Sequence, residues 1–182
     1  MSDTQIHTEP LIDPMAELLA KQAITEQLYA YCRGIDRMDR TLTRNLWHAD
    51  GTADYSPHYR GDPDGLIDFV WASHEAFLGH VHHITNVLIE LSTPETAVSE
   101  AQAIVFLREM TGRTPHVLSI RYIDRWSCRG GSWAVDSRRL VNDVAIQLEV
   151  LPAPGSTSDS PARRSPEDPS YAVFQRRFRG DA

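Results

Sequence analysis

Asp36 is the first residue whose type and position suggest chemistry. It follows Leu28 and Cys32 at intervals of eight and four residues, so in a helix its carboxylate shares the apolar stripe and not the solvated face. A carboxylate removed from water is costly unless a cation or a hydrogen-bond donor pairs with it, and such groups often belong to functional sites. The alternative is structural: Asp36 caps the end of the helix or pairs with a neighbouring arginine, namely Arg33, Arg37 or Arg40.

A second candidate is the run His80-Val81-His82-His83. In an extended strand His80 and His82 point to one face and His83 points to the other. Two imidazoles could ligate a metal, but a catalytic zinc commonly takes three protein ligands, and the chain has neither an HExxH motif nor a cysteine cluster. A neutral imidazole oriented by a carboxylate serves as a general base near pH 7. We therefore expect no metal and no cofactor, with His82 or His83 as the base; the alternative is a structural histidine.

Tyrosine and arginine residues supply further candidates. Tyr31 and Tyr55 carry hydroxyls that can polarise a carbonyl or position a leaving hydroxyl, although buried tyrosines commonly only pack. Arg138 and Arg139 are adjacent in a predicted strand, so only one of them can point to the interior. The sequence leaves open which one does.

Periodicity predicts the elements that must position these residues. Apolar residues at three- and four-residue steps predict a helix from Met15 to about Asp36, with Asp13 as its N-cap and Pro14 as its first residue. After it we expect a short helix over 41–47, a strand over 51–55, a loop over 57–65 and a helix over 66–77. Segments rich in β-branched and aromatic residues then predict four long strands, 82–92, 97–110, 117–128 and 132–150. Helices followed by a long meander indicate an α+β fold whose curved, mostly antiparallel sheet covers the helices.

The chain divides into one domain with two tails. Residues 1–13 are polar and aperiodic and are expected to be flexible, residues 14–151 form the domain, and residues 152–182 comprise a Pro/Ser/Gly-rich linker and a basic, aromatic segment. A helix is expected to start near Ser165, with Tyr171, Phe174 and Phe178 at helical spacing. This segment either docks on its own subunit or a neighbour, or remains a solvated tail.

Composition limits the partners. A net charge of −7 argues against nucleic acid or an anionic membrane as the main partner and favours a small apolar ligand. No apolar stretch approaches the ~20 residues of a membrane span. With only Cys32 and Cys128, and no signal-type segment at the N-terminus, we expect a cytoplasmic protein with reduced thiols.

Four motifs together resemble a known family. Tyr-Cys-Arg-Gly-Ile-Asp-Arg-Met-Asp (31–39), Asp-Gly-Thr-Ala-Asp-Tyr (50–55), His-His-Ile-Thr-Asn (82–86) and Trp-Ala-Val-Asp-Ser-Arg (133–138) resemble SnoaL-like proteins of the nuclear transport factor 2-like superfamily. The similarity extends over residues 15–150. It implies a cone-shaped α+β barrel with the helices packed in the concave face of the sheet. The most similar members in these motifs are cofactor-free lyases: bile acid 7α-dehydratase, hexachlorocyclohexane dehydrochlorinase and scytalone dehydratase.

The resemblance also implies roles for individual residues. Asp36 matches the aspartate of an Asp/His dyad and His82 matches its base. Tyr31 stands where the dehydratase has tyrosine and the dehydrochlorinase has lysine, which favours loss of hydroxide over loss of chloride. Four more residues are expected in the pocket. Arg138, in the last strand, is expected to take part in catalysis, and the expected substrate-binding residues are Tyr55, His83 and Asn86.

Three functions follow from this resemblance. The first is a dehydratase-like lyase acting on an apolar, hydroxylated or carbonyl-bearing cyclic substrate of the steroid, aromatic or polyketide type. The second is an isomerase or cyclase that uses the same dyad. The third is a non-catalytic binding or assembly subunit, like the small subunit of a ring-hydroxylating dioxygenase. A homo-oligomer, with a trimer favoured over a dimer, is expected to cover the outer sheet face, to which we assign Val117, Ile120 and Trp126.

Overall fold

The long first helix forms where its capping signals stand. The computed structural model describes residues 12–110, 115–148 and 163–174. Helix α1 (Pro14–Arg37) begins with the Asp13 carboxylate accepting the Ala16 amide at 2.9 Å. It ends at Met38, which adopts a left-handed conformation with φ 56°. The predicted helix is therefore confirmed, and Asp36 lies in its last turn.

Two shorter helices complete the helical layer. Helix α2 (Arg40–Arg44) is capped by Asp39, and helix α3 (Pro63–His74) is capped by Asp62, whose side chain accepts the Gly65 amide at 2.9 Å. Helix α3 starts three residues earlier than predicted because Asp62 and Pro63 form a complete helix start inside the expected loop. The expectation of an uninterrupted loop over 57–65 is wrong.

Six strands form one open, curved sheet. They are β1 (Trp47–Tyr55), β2 (Tyr59–Gly61), β3 (Phe77–Thr93), β4 (Thr96–Glu109), β5 (Pro115–Arg129) and β6 (Ser132–Gln147), in the order β2-β1-β6-β5-β4-β3. All neighbouring pairs are antiparallel except β1 with β6. This confirms the α+β, mostly antiparallel architecture. Strand β3 begins five residues earlier than expected, so His80 lies within it and not before it.

The concave face of the sheet packs on the helices. It carries Ala101, Ala103 and Ile120, which share one hydrophobic core with Ile24 and Leu28 of α1. The small alanine side chains leave room for a helix to lie close to the strands. In the described part of the chain, no helix combines the length and apolar character needed to cross a membrane.

Two residues assigned to the outer face lie in the core instead. Ile120 and Trp126 are 3% and 1% exposed, and the Trp126 indole donates a hydrogen bond to the buried Ser99 hydroxyl at 2.8 Å. Because side chains alternate along a strand, the even-numbered residues from Ile120 to Trp126 face the helices, whereas Val117 faces outward. A one-residue error in parity places a side chain on the wrong face.

The C-terminal segment docks on its own subunit. The Tyr171 hydroxyl donates to Asp39 at 2.9 Å, the Arg33 guanidinium lies 4.6 Å from the Tyr171 ring centroid, and Arg37 pairs with the buried Asp168. The docked alternative is therefore correct for residues 163–174. The helix near Ser165 is absent; a four-residue helix, α4 (Ser170–Val173), forms instead. Residues 1–11, the linker up to residue 162 and Phe178 lie outside the described residues.

Candidate active site

Asp36 and His82 form a close pair at the end of α1. The Nδ1 atom of His82 lies 2.7 Å from Oδ1 of Asp36, within the expected hydrogen-bond range. The backbone N–H of His82 also donates to both carboxylate oxygens, at 3.1 and 3.0 Å. Asp36 thus holds the ring and the backbone of one residue. The structural alternative for Asp36 fails for Arg37, which pairs with Asp168 at 3.3 Å.

This contact determines which nitrogen of His82 can act as a base. An ionised carboxylate only accepts hydrogen bonds, so Nδ1 must carry the proton and Nε2 keeps its lone pair. The imidazole lines a cavity of about 160 Å³, the inner cavity, between α1, α3 and the sheet. The contact with Asp36 therefore engages Nδ1 and leaves Nε2 of His82 free of it.

The cavity walls are mostly apolar. Val105, Leu118 and Ile120 of the sheet face Ile35 and Val70 of the helices. Such walls suit a carbon skeleton, while the few polar groups among them fix its orientation. Four of these polar residues were not predicted from the sequence: Ser73, His74, Tyr122 and Asn142. The alternation of β5 could have revealed Tyr122, which is in phase with Ile120.

Tyr31 and Tyr55 enter the cavity together. Their hydroxyl oxygens lie 3.0 Å apart, and both side chains are buried. Burial raises the pKa of each phenol above its ordinary value. Both hydroxyls stay protonated at neutral pH and can donate hydrogen bonds, as expected of residues that bind a substrate oxygen.

Arg138 points inward but does not line the cavity. Its side chain is fully buried, and it donates two hydrogen bonds of 2.7 Å to Asp124, which lies opposite it on β5. The guanidinium carbon lies 4.5 Å from the ring centroid of Tyr31 and 4.2 Å from that of Tyr122. Arg139 is the outward-facing partner, paired with Asp54. Arg138 therefore lies behind the tyrosine rings and not at the wall of the inner cavity, and its catalytic role stays a prediction.

Within its buried ion pair with Asp124, the Arg138 guanidinium stays positively charged, while the pair as a whole is neutral. Burial alone would lower the pKa of Arg138, but attraction to Asp124 outweighs it and the pKa stays well above its ordinary value. Nη1 of Arg138 is buried and has no hydrogen-bond partner among the described residues. The positive charge lies directly behind the tyrosines of the cavity.

Two neutral histidines flank the dyad. His80 Nε2 donates to the Ile35 carbonyl at 2.6 Å, and the rings of His74 and His80 lie 4.1 Å apart. Burial and the neighbouring histidines lower the pKa of His74 to about 3, and burial also lowers the pKa of His80. In residues 12–110, 115–148 and 163–174, no group of three or more His, Cys, Asp or Glu side chains is arranged to hold a metal.

His83 and Asn86 lie outside the cavity. The His83 ring meets the exposed Phe106 ring edge-on at 5.7 Å, and the Asn86 amide donates to the Gln102 side chain at 3.1 Å. Strand alternation places His83 opposite His82, and a register shift between Ile84 and Val87 leaves Asn86 among exposed residues. Neither residue lines the inner cavity, and their role in substrate binding stays a prediction.

A second cavity approaches the dyad from the other side of α1. It has a volume of about 480 Å³ and its walls include Asp36, His82, Arg33, Arg37 and Phe174. Because it is lined by charged side chains as well as apolar ones, it differs from the inner cavity. His82 lines both cavities, whereas Asp36 lines only the second one.

Comparisons with known proteins agree on the fold. The solved structures similar to this one include a scytalone dehydratase candidate from Novosphingobium aromaticivorans, with 19% identity, 81% of this chain and 100% of that chain covered, and a TM-score of 0.69. They also include the type 3 hexachlorocyclohexane dehydrochlorinase of Novosphingobium barchaimii, with 16% identity, coverage of 78% and 100%, and a TM-score of 0.68.

A third similar structure represents a different function. It is the beta subunit of a candidate aromatic-ring-hydroxylating dioxygenase from Novosphingobium aromaticivorans, with 20% identity, coverage of 70% and 92%, and a TM-score of 0.58. No functionally curated protein matches the sequence. The family model of the SnoaL-like domain matches residues 16–139. This chain therefore belongs to the SnoaL-like domain family.

Proposed function

We propose that this protein is a cofactor-independent lyase of the dehydratase kind, with Asp36 and His82 as its catalytic dyad. The observation that carries the proposal is the 2.7 Å contact between these residues at the wall of an apolar cavity. A carboxylate that orients an imidazole, with the second ring nitrogen left open, is the arrangement of a general base.

The reaction begins with removal of a proton next to a carbonyl. His82 Nε2 takes the proton, and the electrons of the C–H bond move into the carbonyl to form an enolate. Asp36 stabilises the imidazolium that results, and a phenol hydroxyl in the cavity donates a hydrogen bond to the enolate oxygen. When the enolate collapses, a C=C bond forms and the C–O bond of the leaving hydroxyl breaks. The imidazolium returns its proton to that oxygen, so water leaves.

The cavity volume restricts the substrate. An engineered apolar cavity of about 150 Å³ holds benzene, and the inner cavity here is about 160 Å³. A one-ring or small two-ring compound fills this space, whereas a four-ring steroid would extend beyond it. Among the substrate types considered, the aromatic and polyketide types are favoured.

Two other functions share part of this site. An isomerase or cyclase would use the same proton abstraction and would differ only in its product. A non-catalytic subunit, as in the dioxygenase beta subunit with the same fold, has no need of a buried carboxylate that orients a histidine. The paired Asp36 and His82 therefore favour an enzyme.

The test begins with a thermal-shift screen of small cyclic ketones that carry a β-hydroxyl, because a bound compound raises the melting temperature. On a compound that is turned over, we expect His82→Ala and Asp36→Asn each to reduce kcat by about 10²- to 10⁴-fold. His83→Ala is the matched control, since His83 lies on the other face of β3, and it is expected to keep the wild-type rate. Wild-type rates in both dyad variants would show that the dyad is not catalytic. Chelation is expected to leave the rate unchanged.

We further propose a homo-oligomer, with a trimer favoured. The convex face of the sheet, which points away from the helices, carries a row of large apolar residues in register across four strands: Val81, Phe106, Val117 and Ile146. Val81 and Phe106 are each 43% exposed. Such a row is usually covered in solution. Analytical ultracentrifugation is expected to report an oligomer that Phe106→Glu weakens; a wild-type monomer at micromolar concentration contradicts this.

A further inference from the structure

We infer that Tyr122 is a catalytic residue that donates a hydrogen bond to the substrate oxygen on which negative charge develops. The inference rests on the proposed function and adds a residue that neither the motifs nor the family resemblance identifies. It is carried by the hydrogen bonding of the three cavity tyrosines, by the charge behind their rings, and by the position of Tyr122 relative to His82.

The three tyrosine hydroxyls differ in their partners. Those of Tyr31 and Tyr55 lie 3.0 Å apart, so one donates to the other and the pair together keeps one proton for a ligand. The Tyr122 hydroxyl has no hydrogen-bond partner among the residues that the structure describes, and its oxygen stays open to the cavity. An unpaired polar group in an apolar cavity is unfavourable. The Tyr122 hydroxyl is therefore expected to donate a hydrogen bond to a bound ligand.

The ring of Tyr122 rests on a positive charge. The guanidinium carbon of Arg138 lies 4.2 Å from its centroid, and Asp124 fixes Arg138 in place with two hydrogen bonds. A cation held behind the ring draws electron density from it and makes the hydroxyl a stronger donor.

Tyr122 lies across the cavity from the base. His82 is in register with Val105 on β4, whereas Tyr122 is in register with Ala101, four positions along the same strand. At ~3.3 Å per residue and ~4.8 Å per strand, the two backbones are roughly 16 Å apart in a flat sheet. Both side chains line the same cavity. A cyclic ketone can therefore contact Tyr122 with its oxygen and His82 with the adjacent carbon.

Substituted phenols test this assignment without turnover. A phenol is planar, fits the cavity and carries its oxygen as an enolate does. We expect calorimetry to show that Tyr122→Phe, which keeps the ring on Arg138, weakens binding of para-nitrophenol by about 10- to 100-fold, the effect of losing a hydrogen bond to a charged group. Tyr55→Phe is the matched control and should lose less, because the Tyr31 hydroxyl can still donate. Equal affinity in wild type and Tyr122→Phe would overturn the inference.

A spectroscopic readout on wild-type protein keeps the test valid if the variant does not fold. Bound para-nitrophenol should ionise at lower pH than the free compound, which its visible absorbance reports; an unshifted or raised apparent pKa would overturn the inference. The proposed function fails separately, if His82→Ala leaves turnover of a ketone substrate unchanged while Tyr122→Phe still loses phenol affinity. If His82→Ala abolishes turnover while Tyr122→Phe keeps both kcat and phenol affinity, only the Tyr122 assignment is wrong.

Discussion

Two buried pairs, each a carboxylate with a basic side chain, lie on opposite sides of the cavity tyrosines. Asp36 holds His82, and Asp124 holds Arg138, each through contacts of 2.7 Å. They differ in what the basic side chain presents to the cavity. His82 lines the cavity and keeps one ring nitrogen open, whereas the side chain of Arg138 is 0% exposed and lies behind aromatic rings.

The difference shows how a buried carboxylate acquires its role. Arginine stays protonated at any pH that a protein tolerates, so the Asp124–Arg138 pair is a fixed ion pair that can only support its neighbours. Histidine exchanges its proton near neutrality, so the Asp36–His82 pair can take part in a reaction. Whether the basic side chain is arginine or histidine, and whether it reaches the cavity, decides if such a pair only supports its neighbours or can also exchange a proton.

We call Asp124–Arg138 the sealed pair and Asp36–His82 the open pair. The largest expected effect is on the free energy of unfolding when the sealed pair is disrupted. Asp124→Asn leaves Arg138 charged, buried and without its counterion, and removing one partner of a buried pair costs about 3–5 kcal/mol. Asp36→Asn is the matched control: it weakens the hydrogen bonds to His82 but leaves no buried arginine without its counterion, so we expect less than about 1.5 kcal/mol. Denaturant unfolding of both variants measures the difference. Equal losses would show that the two pairs contribute equally to the free energy of unfolding.

A double variant sharpens this result. Replacing the sealed pair by apolar residues, Asp124→Leu with Arg138→Met, removes both charges and should recover most of the lost stability, since such replacements are often neutral. The same double variant removes the charge behind Tyr122. If that charge strengthens the hydroxyl, the double variant should fold and yet bind para-nitrophenol more weakly than wild type.

The sequence contained more information about the open pair than about the sealed one. Helical periodicity placed Asp36 on the apolar face, and strand parity separated His82 from His83. Asp124 gave no such signal, because its partner is 14 residues away in the chain and meets it only through the register of β5 and β6. Strand alternation showed that either Arg138 or Arg139 points inward, but not which one. The distance of Arg138 from the cavity depends on the tyrosine rings packed over it, which the sequence does not reveal.

Errors of fold came from strand parity and from local capping. Ile120 and Trp126 were assigned to the wrong face because an isolated strand does not reveal which side the helices cover. The shift of α3 came from Asp62 and Pro63, whose capping role competes with their usual place in loops. Long periodic segments, such as α1 and the four long strands, carry enough repeats to identify their type without tertiary contacts.

A smaller effect is expected from the neutral histidines beside the open pair. The pKa of His74 falls from 6.5 to about 3 in the folded protein, so the folded state does not bind the proton that the unfolded chain takes up below about pH 6.5. Stability should therefore decline as pH falls from 6.5 towards 3, by at most about 1.4 kcal/mol per pH unit for this group. His74→Phe should flatten this decline in denaturant unfolding, and the exposed His58→Gln should not. Identical slopes in the wild type and in His74→Phe would show that burial of His74 is not the cause.

The smallest effect is expected at Tyr31, which lines the cavity beside His82 and also contacts Arg138. Its hydroxyl meets Tyr55 at 3.0 Å, while its ring stacks on Arg138 and packs edge-on against Tyr122 at 5.7 Å. Tyr31→Phe removes only the hydroxyl, so unfolding should become easier by about 0.5–1.5 kcal/mol, the value of one hydrogen bond. The rate should fall less than in the dyad variants, because Tyr55 and Tyr122 can still donate to the substrate oxygen. Tyr31→Ala is the matched contrast: it also uncovers the sealed charge and leaves a cavity, and should destabilise by about 3–5 kcal/mol. If Tyr31→Phe destabilises the protein as much as Tyr31→Ala, the hydroxyl, and not the ring over Arg138, accounts for the stability that Tyr31 contributes.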